Sequence, residues 1–542
     1  HFSFNISNLF VIHIKYSIRK YFSFFVLFLT TSYSLLAEEL KVNNFITTRD
    51  SVSTEQIPSV SINDSTNYLL SADTIQIKDS VAFVLRPKKN LLKGFGEGVF
   101  VNTFVWAADR WLLGKDYYSK GWSTIKDNWE AGWLWDTDAF STNFIDHPYH
   151  GNLYYTAAKT SGCTYWESLA LSALGSLEWE VIAETDYPSP NDFFSTTFGG
   201  AALGEMTTRV ADIILNKRKR GFNRVAREIV AFGLAPMKGL NRIMSGDTWD
   251  FSDTHYLYHD KSEIPYTFFV SSGARIADTK NSDSRSNFSV NLRIHYGNPG
   301  NVRHNKPYDY FFSNMTFNKM GTHVPLVSNF NINGRLHGWQ LHEGDKWNSV
   351  LSINQDFSYY NNEQQERFDG DRKKLLSLSE SAAMGPAFTT VSANSVHMIT
   401  SNAVFMGGYT SDYYYRAYNM GSGFNVKAFN LFRLSDVLFF NLDASYHYLF
   451  TWKGYEDAQI KKLHKDGVGE PYNFNVRDGR KAGDKGYTVF FILNPRLDIK
   501  MFKNIYFSAD YSLYTRNSVY KYHKNIKSYY SDLKLSLTYM IK

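Results

Sequence analysis

From Thr248 onward apolar side chains recur at every second position. Phe288, Val290, Leu292, Ile294 and Tyr296 alternate with Ser289, Asn291, Arg293 and His295, which puts every apolar group on one face of an extended chain. Phe440–Tyr448 repeats the pattern, with Asn441, Asp443, Ser445 and His447 between Phe440, Leu442, Ala444, Tyr446 and Tyr448. Phe507–Leu513 and Leu533–Ile541 repeat it again. Turn-rich intervals such as NNEQQERFDGDRKK separate these runs, and they divide the C-terminal half into about twelve strands of the roughly ten-residue length a bilayer requires. A soluble β-sandwich would alternate too. Aromatic strand ends and polar positions carrying Arg, Asp, His and Lys favour a membrane barrel. The predicted fold class is mainly β: an antiparallel transmembrane β-barrel of about twelve strands over 251–542, preceded by an α-helical hairpin domain over 91–250.

Within that N-terminal domain the period lengthens. Tyr165–Thr185 places Ala173, Leu177, Glu180 and Glu184 on one helical face, and Pro188 and Pro190 stop it. Asn191 or Asp192 can cap a second helix over Thr197–Leu215, where Gly200 and Gly204 have the spacing that lets two helix backbones approach closely. Asn216–Asp247 is amphipathic, with Val225, Ile229, Phe232 and Leu240 against Arg218, Arg220, Arg224, Arg227, Lys238 and Arg242. Its cationic side is either a solvated face or one that lies on an anionic lipid surface. Between Trp106 and Trp135 six tryptophans fall close together, as in a belt at a membrane interface or in a tight core.

Composition agrees with this picture. Aromatics make up 17% of the 542 residues and mean hydropathy is −0.35, while 58 basic against 52 acidic side chains give a net charge of only +6, too little to argue for nucleic acid. At the N-terminus Arg19 and Lys20 precede an apolar run ending at Ala37, so residues 1–37 read as a secretory signal. Residues 38–90 read as a flexible periplasmic leader that can offer a periplasmic partner an extended strand. The single cysteine, Cys163, forms no internal disulfide and reads as a small buried residue. These features predict the outer membrane of a Gram-negative bacterium, with the helical domain facing the periplasm or the barrel lumen. The partners implied are outer-membrane lipids and, during biogenesis, the barrel assembly machinery.

The candidate chemistry sits in His147–Arg209. Two carboxylates one helical turn apart, Glu180 and Glu184, repel unless a cation, a proton or a metal intervenes. His147 and His150 can join them and Glu205 as a general base with partners, or as ligands, since imidazole and carboxylate suit Zn or Mn. No organic cofactor is implied; a divalent metal is compatible. Alternatively these groups, with Asn191, Asp192 and Arg209, form a polar network that only fixes the hairpin. No GxSxG, HExxH or P-loop is present. The motifs His147–Gly151, Trp166-Glu167-Ser168, Glu178-Trp179-Glu180, Pro188–Asp192 and Gly199–Glu205, with a closing element at Pro236–Gly246, resemble a bacterial domain family of unknown function found in exported proteins. That resemblance covers about residues 90–250 and implies location more than activity. Two functions follow: a barrel that its helical domain plugs, gates or supports, or an envelope enzyme acting on lipid or lipopolysaccharide through the His/Glu cluster.

Overall fold

The computed structural model describes residues 68–541 apart from 78–79, 114–120, 137, 252–254, 259–263, 280–281, 303–304, 320–324, 363–375, 414–417, 453 and 455–482. The proposed signal and most of the leader lie outside the described residues. The leader is not wholly unstructured, however. Its end forms β1 (Tyr68–Ile77) and β2 (Ser80–Pro87), an antiparallel pair joined in parallel by β3 (His255–Tyr258).

The chain divides into two compact units. One comprises Lys89–Met206 and Ile264–Met540; the other holds Thr207–Glu263 with the β1–β2 pair. In the first unit the helices are α1 (Leu91–Ala108), α2 (Trp122–Ala131), α3 (His147–Thr160), α4 (Tyr165–Glu178) and α5 (Pro190–Phe194). They lead into α6 (Gly200–Ile214), within which the unit boundary falls. Local signals explain the starts: Asn90 caps α1, Thr164 and Glu167 form a capping box on α4, and Pro148 and Pro190 sit in first turns. The close approach expected of Gly200 is made with α3: a Cβ on Gly200 would lie 2.4 Å from the Gly151 carbonyl carbon, and one on Gly204 would lie 2.4 Å from the Tyr155 ring.

Among the described residues twelve strands close into a barrel with β15 beside β4. They are β4 (Tyr266–Thr279), β5 (Ser282–Tyr296), β6 (Phe311–Asn318), β7 (Val327–Glu343), β8 (Trp347–Asn361) and β9 (Ser377–Ser392). They continue as β10 (Ser395–Thr410), β11 (Tyr418–Arg433), β12 (Leu438–Thr451), β13 (Gly486–Phe502), β14 (Ile505–Tyr520) and β15 (Ile526–Ile541). The short turns 344–346, 393–394, 434–437 and 503–504 lie at the end where β4 starts and β15 stops. The longest connections, 362–376 and 452–485, lie at the other, the loop end, together with 280–281, 319–326, 411–417 and 521–525, while 297–310 lies at the turn end.

Inward positions are polar and paired. Arg275 and Lys534 both meet Asp532 at 2.9 Å, Arg496 meets Asp498 at 2.9 Å, and Lys427 bonds Asp356 and lies 3.4 Å from Glu380. Buried charges of this kind persist only when neutralised by partners. Towards the loop end Tyr360, Leu378, Tyr409, Leu449, Phe490, Tyr514 and Tyr530 form an apolar cluster that crosses the lumen. What space remains includes a cavity of about 150 Å³ near Arg293, Phe312, Phe429 and Asp443. Among the described residues, paired charged groups and this cluster thus occupy much of the interior.

Outward positions differ around the wall. On β4, β5 and β13–β15 they are exposed and apolar: Ile276, Phe288, Phe491, Phe507, Tyr511, Leu535 and Leu537. On β8–β11 they are exposed towards the turn end, at Leu351, Phe388 and Ile399, and covered towards the loop end. Asp356 and Ser358 point inward to Lys427, so Gln355, Phe357 and Tyr359 point outward, and these are the residues the helices touch. Tyr165 Oη donates to Gln355 Oε1 at 2.8 Å, Gln355 Nε2 donates to the Phe198 carbonyl at 2.9 Å, and Phe140 stacks on Tyr359 at 5.4 Å. Ser195 and Ser381 hydroxyls meet at 2.9 Å. Of the two positions expected for the helices, periplasm or lumen, these contacts are with neither: they are made on the outward face of the wall.

In the second unit α7 (Gly221–Leu234) and α8 (Pro236–Ser245) reverse the expected orientation of the amphipathic segment. Arg224 and Arg242 share Glu228 at 2.9 and 2.7 Å, Lys238 bonds Asp212, and Arg227 is fully buried on the Ile214 carbonyl. Phe222, Val225, Ile229, Phe232 and Met244 are exposed instead. The period reveals two faces but not which one turns inward; nearby carboxylates decide that.

Candidate functional site

Helix α4 runs to Glu178 and then widens into a π-helical turn, Trp179–Ala183, before the chain becomes extended at Glu184 (φ −108°, ψ 153°). Glu180 and Glu184 therefore do not share a regular helical face as expected. The wider turn carries Glu180 inward, to 2% exposure, where its carboxylate accepts a hydrogen bond of 2.8 Å from the Ser189 amide. Ser189, not Asn191 or Asp192, is the residue that precedes the next helix, and both of the latter lie inside α5.

Those shifts bring three side chains together. His147 at the start of α3, Glu180 in the π turn and Asp192 in α5 each present one donor atom within 4.8 Å of the others. His147 Nε2 lies 3.4 Å from Asp192 Oδ1. Asp192 was expected to be structural; it is here one of the three. Around it, Asn191 Nδ2 donates to Asp192 Oδ1 at 2.8 Å and to Asn143 Oδ1 at 3.0 Å, and its own Oδ1 accepts from the Asp136 amide at 3.2 Å. Asn143 Nδ2 donates to Asp136 Oδ2 at 3.0 Å and to the hydroxyl of Tyr418 on the barrel wall. Such outer partners fix the geometry of ligating groups.

Electrostatically the site is short of positive charge. Among the described residues no lysine or arginine forms an ion pair with Glu180, Glu184 or Asp192. Burial pushes Glu180 up to about 8. It pushes Asp192 well above the usual carboxylate range, with repulsion from Glu180 adding to it. Glu184 is raised for the same two reasons. Burial lowers His147 to about 4, against the opposing pull of Asp136, so its imidazole is neutral and its lone pair free for a proton or a cation. Three donors, one neutral and two anionic once deprotonated, match a divalent metal's preference for imidazole and carboxylate. The same set can also act as a proton-transfer site.

The remaining candidates lie apart from this trio. His150 Nε2 meets the Tyr154 hydroxyl at 2.9 Å and packs edge-on against Trp179 at 4.9 Å; burial, then His147, lowers it to about 3. Glu205 is fully buried, accepts from Tyr155 Oη at 2.7 Å and pairs with Lys159 at 2.6 Å, which makes it a helix-to-helix tie. Glu184 stays outside the three, with its carbonyl accepting from Asn128 Nδ2 at 2.9 Å. Arg209 is buried on α6 in the second unit. Asp136, Asn143 and Ser189 were missed. Asp136 and Asn143 precede the His-Pro motif by only a few residues, but nothing periodic distinguishes them.

Residues 132–237 match the model of a family described as a domain of unknown function, DUF3943. No curated protein matches the chain in sequence. Among solved structures, the NanC porin is similar at 6% identity over 50% of this chain and 98% of that one, with a TM-score of 0.24. The outer membrane channel DcaP of Acinetobacter baumannii shows 11% identity over 51% and 96%, with a TM-score of 0.21. OmpT of Vibrio cholerae, an outer membrane protein, shows 6% over 51% and 99%, with a TM-score of 0.22.

Proposed function

We propose that this chain is an outer-membrane barrel that acts through its helical layer and not through its lumen. The closed wall with exposed apolar outward positions and paired polar inward ones supports the membrane location. The occupied interior argues against transport through it, and helices lying on the outer wall cannot serve as a removable plug. The observation that carries the reading is the convergence of His147, Glu180 and Asp192 in a buried place that lacks a paired cation. We assign these three residues as ligands of one divalent metal, with zinc or manganese best suited to the donors. A bound metal would supply Lewis acidity and an activated water, the chemistry of metal-assisted hydrolysis. The chain's own part is to hold a neutral imidazole and two carboxylates, tie them through Asn191 and Asn143, and exclude bulk water. Because the layer lies against a membrane wall, the substrate class is an envelope lipid.

Metal content of the purified, folded protein tests this. One equivalent of zinc or manganese is expected, lost in a Glu180→Gln/Asp192→Asn variant whose barrel still shows heat-modifiable gel mobility. Equal, sub-stoichiometric metal in both proteins would remove the assignment.

A further inference from the structure

The fold also fixes the height of the site along the barrel, and this bears on which lipids it meets. Asn143, one hydrogen bond from Asn191, bonds the hydroxyl of Tyr418, the first residue of β11, directly after the connection 411–417. Phe140 packs edge-on against Tyr418 at 5.2 Å. Phe144 lies against Gly408, close to the end of β10. Trp135, adjacent to Asp136, meets Trp452 at 5.4 Å just beyond the end of β12. All four anchors sit at the loop end of the wall, opposite the short turns and the termini of the barrel. Outer-membrane barrels keep short turns on the periplasmic side and long loops outside.

The rim of the same region is aromatic. Trp122, Trp129, Trp133 and Tyr187 are 82%, 78%, 50% and 50% exposed, and Asn128, one position before Trp129, is bonded to the Glu184 carbonyl. Exposed indoles settle at headgroup level, and they stack on the apolar faces of sugar rings. Resting on the functional reading above, we infer that the His147–Glu180–Asp192 site lies at the outer-leaflet headgroup level, and that its substrate class is an outer-leaflet glycolipid.

Cysteine labelling decides the placement. In a Cys163→Ser background, Lys126→Cys on α2, or Glu130→Cys should the first fail to fold, is treated with a membrane-impermeant maleimide in intact cells. Ser435→Cys in the turn 434–437 serves as the opposite-side marker. The expected result is full labelling of Lys126→Cys in intact cells, equal to that after permeabilisation, with Ser435→Cys labelled only after permeabilisation. Labelling of position 126 only after permeabilisation, or of position 435 in intact cells, overturns the placement while leaving metal content untouched. For the substrate class, the protein is reconstituted into phosphatidylethanolamine vesicles with or without lipopolysaccharide, in the presence of Mn²⁺. A shift in tryptophan emission that requires lipopolysaccharide, and that falls several-fold in Trp129→Ala/Trp133→Ala, is expected. Equal emission in both vesicles refutes the glycolipid.

Discussion

If His147, Glu180 and Asp192 ligate a metal, binding must expel protons, and their number follows from the site. At pH 7 His147, lowered to about 4, is already neutral and releases none. Glu180, raised to about 8, holds a proton that the cation must displace, and Asp192 is raised in the same direction by burial and by repulsion from Glu180. Zinc binding at pH 7 should therefore release about one proton from Glu180, and Glu180→Gln should remove that release while weakening affinity at least tenfold. The same shifts set the pH dependence of the metal-free layer. A carboxyl raised from 4.5 to about 8 binds more protons folded than unfolded between those values, so its stabilising contribution is present at low pH and is lost as pH rises towards 8. The buried imidazoles act oppositely, because stability falls as pH drops below their ordinary 6.5. Between pH 6.5 and 8 only the carboxyl effect remains, and a loss on the order of a few kcal/mol is expected there, abolished by added zinc. Titration calorimetry in buffers of different ionisation enthalpy counts the protons. Hydrogen exchange over 133–150 and 178–195 follows the pH slope. Binding without proton release, or a metal-free layer that grows more stable from pH 6.5 to 8, would refute the reasoning.

Two other consequences follow from the packing. Lys159→Met removes the 2.6 Å ion pair to the buried Glu205, and a loss of about 3 kcal/mol in the helical layer is expected, read as earlier exchange of α3 and α6 amides while metal content persists in the folded fraction. Because side chains occupy much of the lumen, planar-bilayer recordings of the intact protein should show no large stable conductance, and Gln355→Ala, which loosens helices from the outer wall, should open none. A porin-like step in either would return the lumen to consideration.

The barrel was legible because its lipid-exposed strands carry the period-two signal on an open face. Leu533–Ile541 alternates cleanly, whereas β9, SLSESAAMGPAFTTVS, does not. Its outer face turns from lipid to helices along its length, so serine and alanine occupy positions where phenylalanine or leucine would otherwise face acyl chains. The same covering hid the domain's placement, since nothing in the order of elements distinguishes a helix inside the wall from one outside it. In the site, His147 and Glu180 were recoverable from residue type. Asp192 was assigned a capping role because the π turn and the Ser189 start, which turn it inward, are consequences of tertiary packing. Glu205 and His150 looked equivalent in sequence to the three residues that cluster, and their contacts with Lys159 and Tyr154 set them apart in space.

The most direct test of the central claim is turnover. Wild-type protein and His147→Ala, each reconstituted with extracted envelope lipids and Mn²⁺ or Zn²⁺, are compared by lipid mass spectrometry. A metal-dependent mass change in wild type that is absent from His147→Ala and from chelated wild type is the predicted result. An identical change in His147→Ala, or no change with any envelope lipid while the metal is bound, would contradict the account.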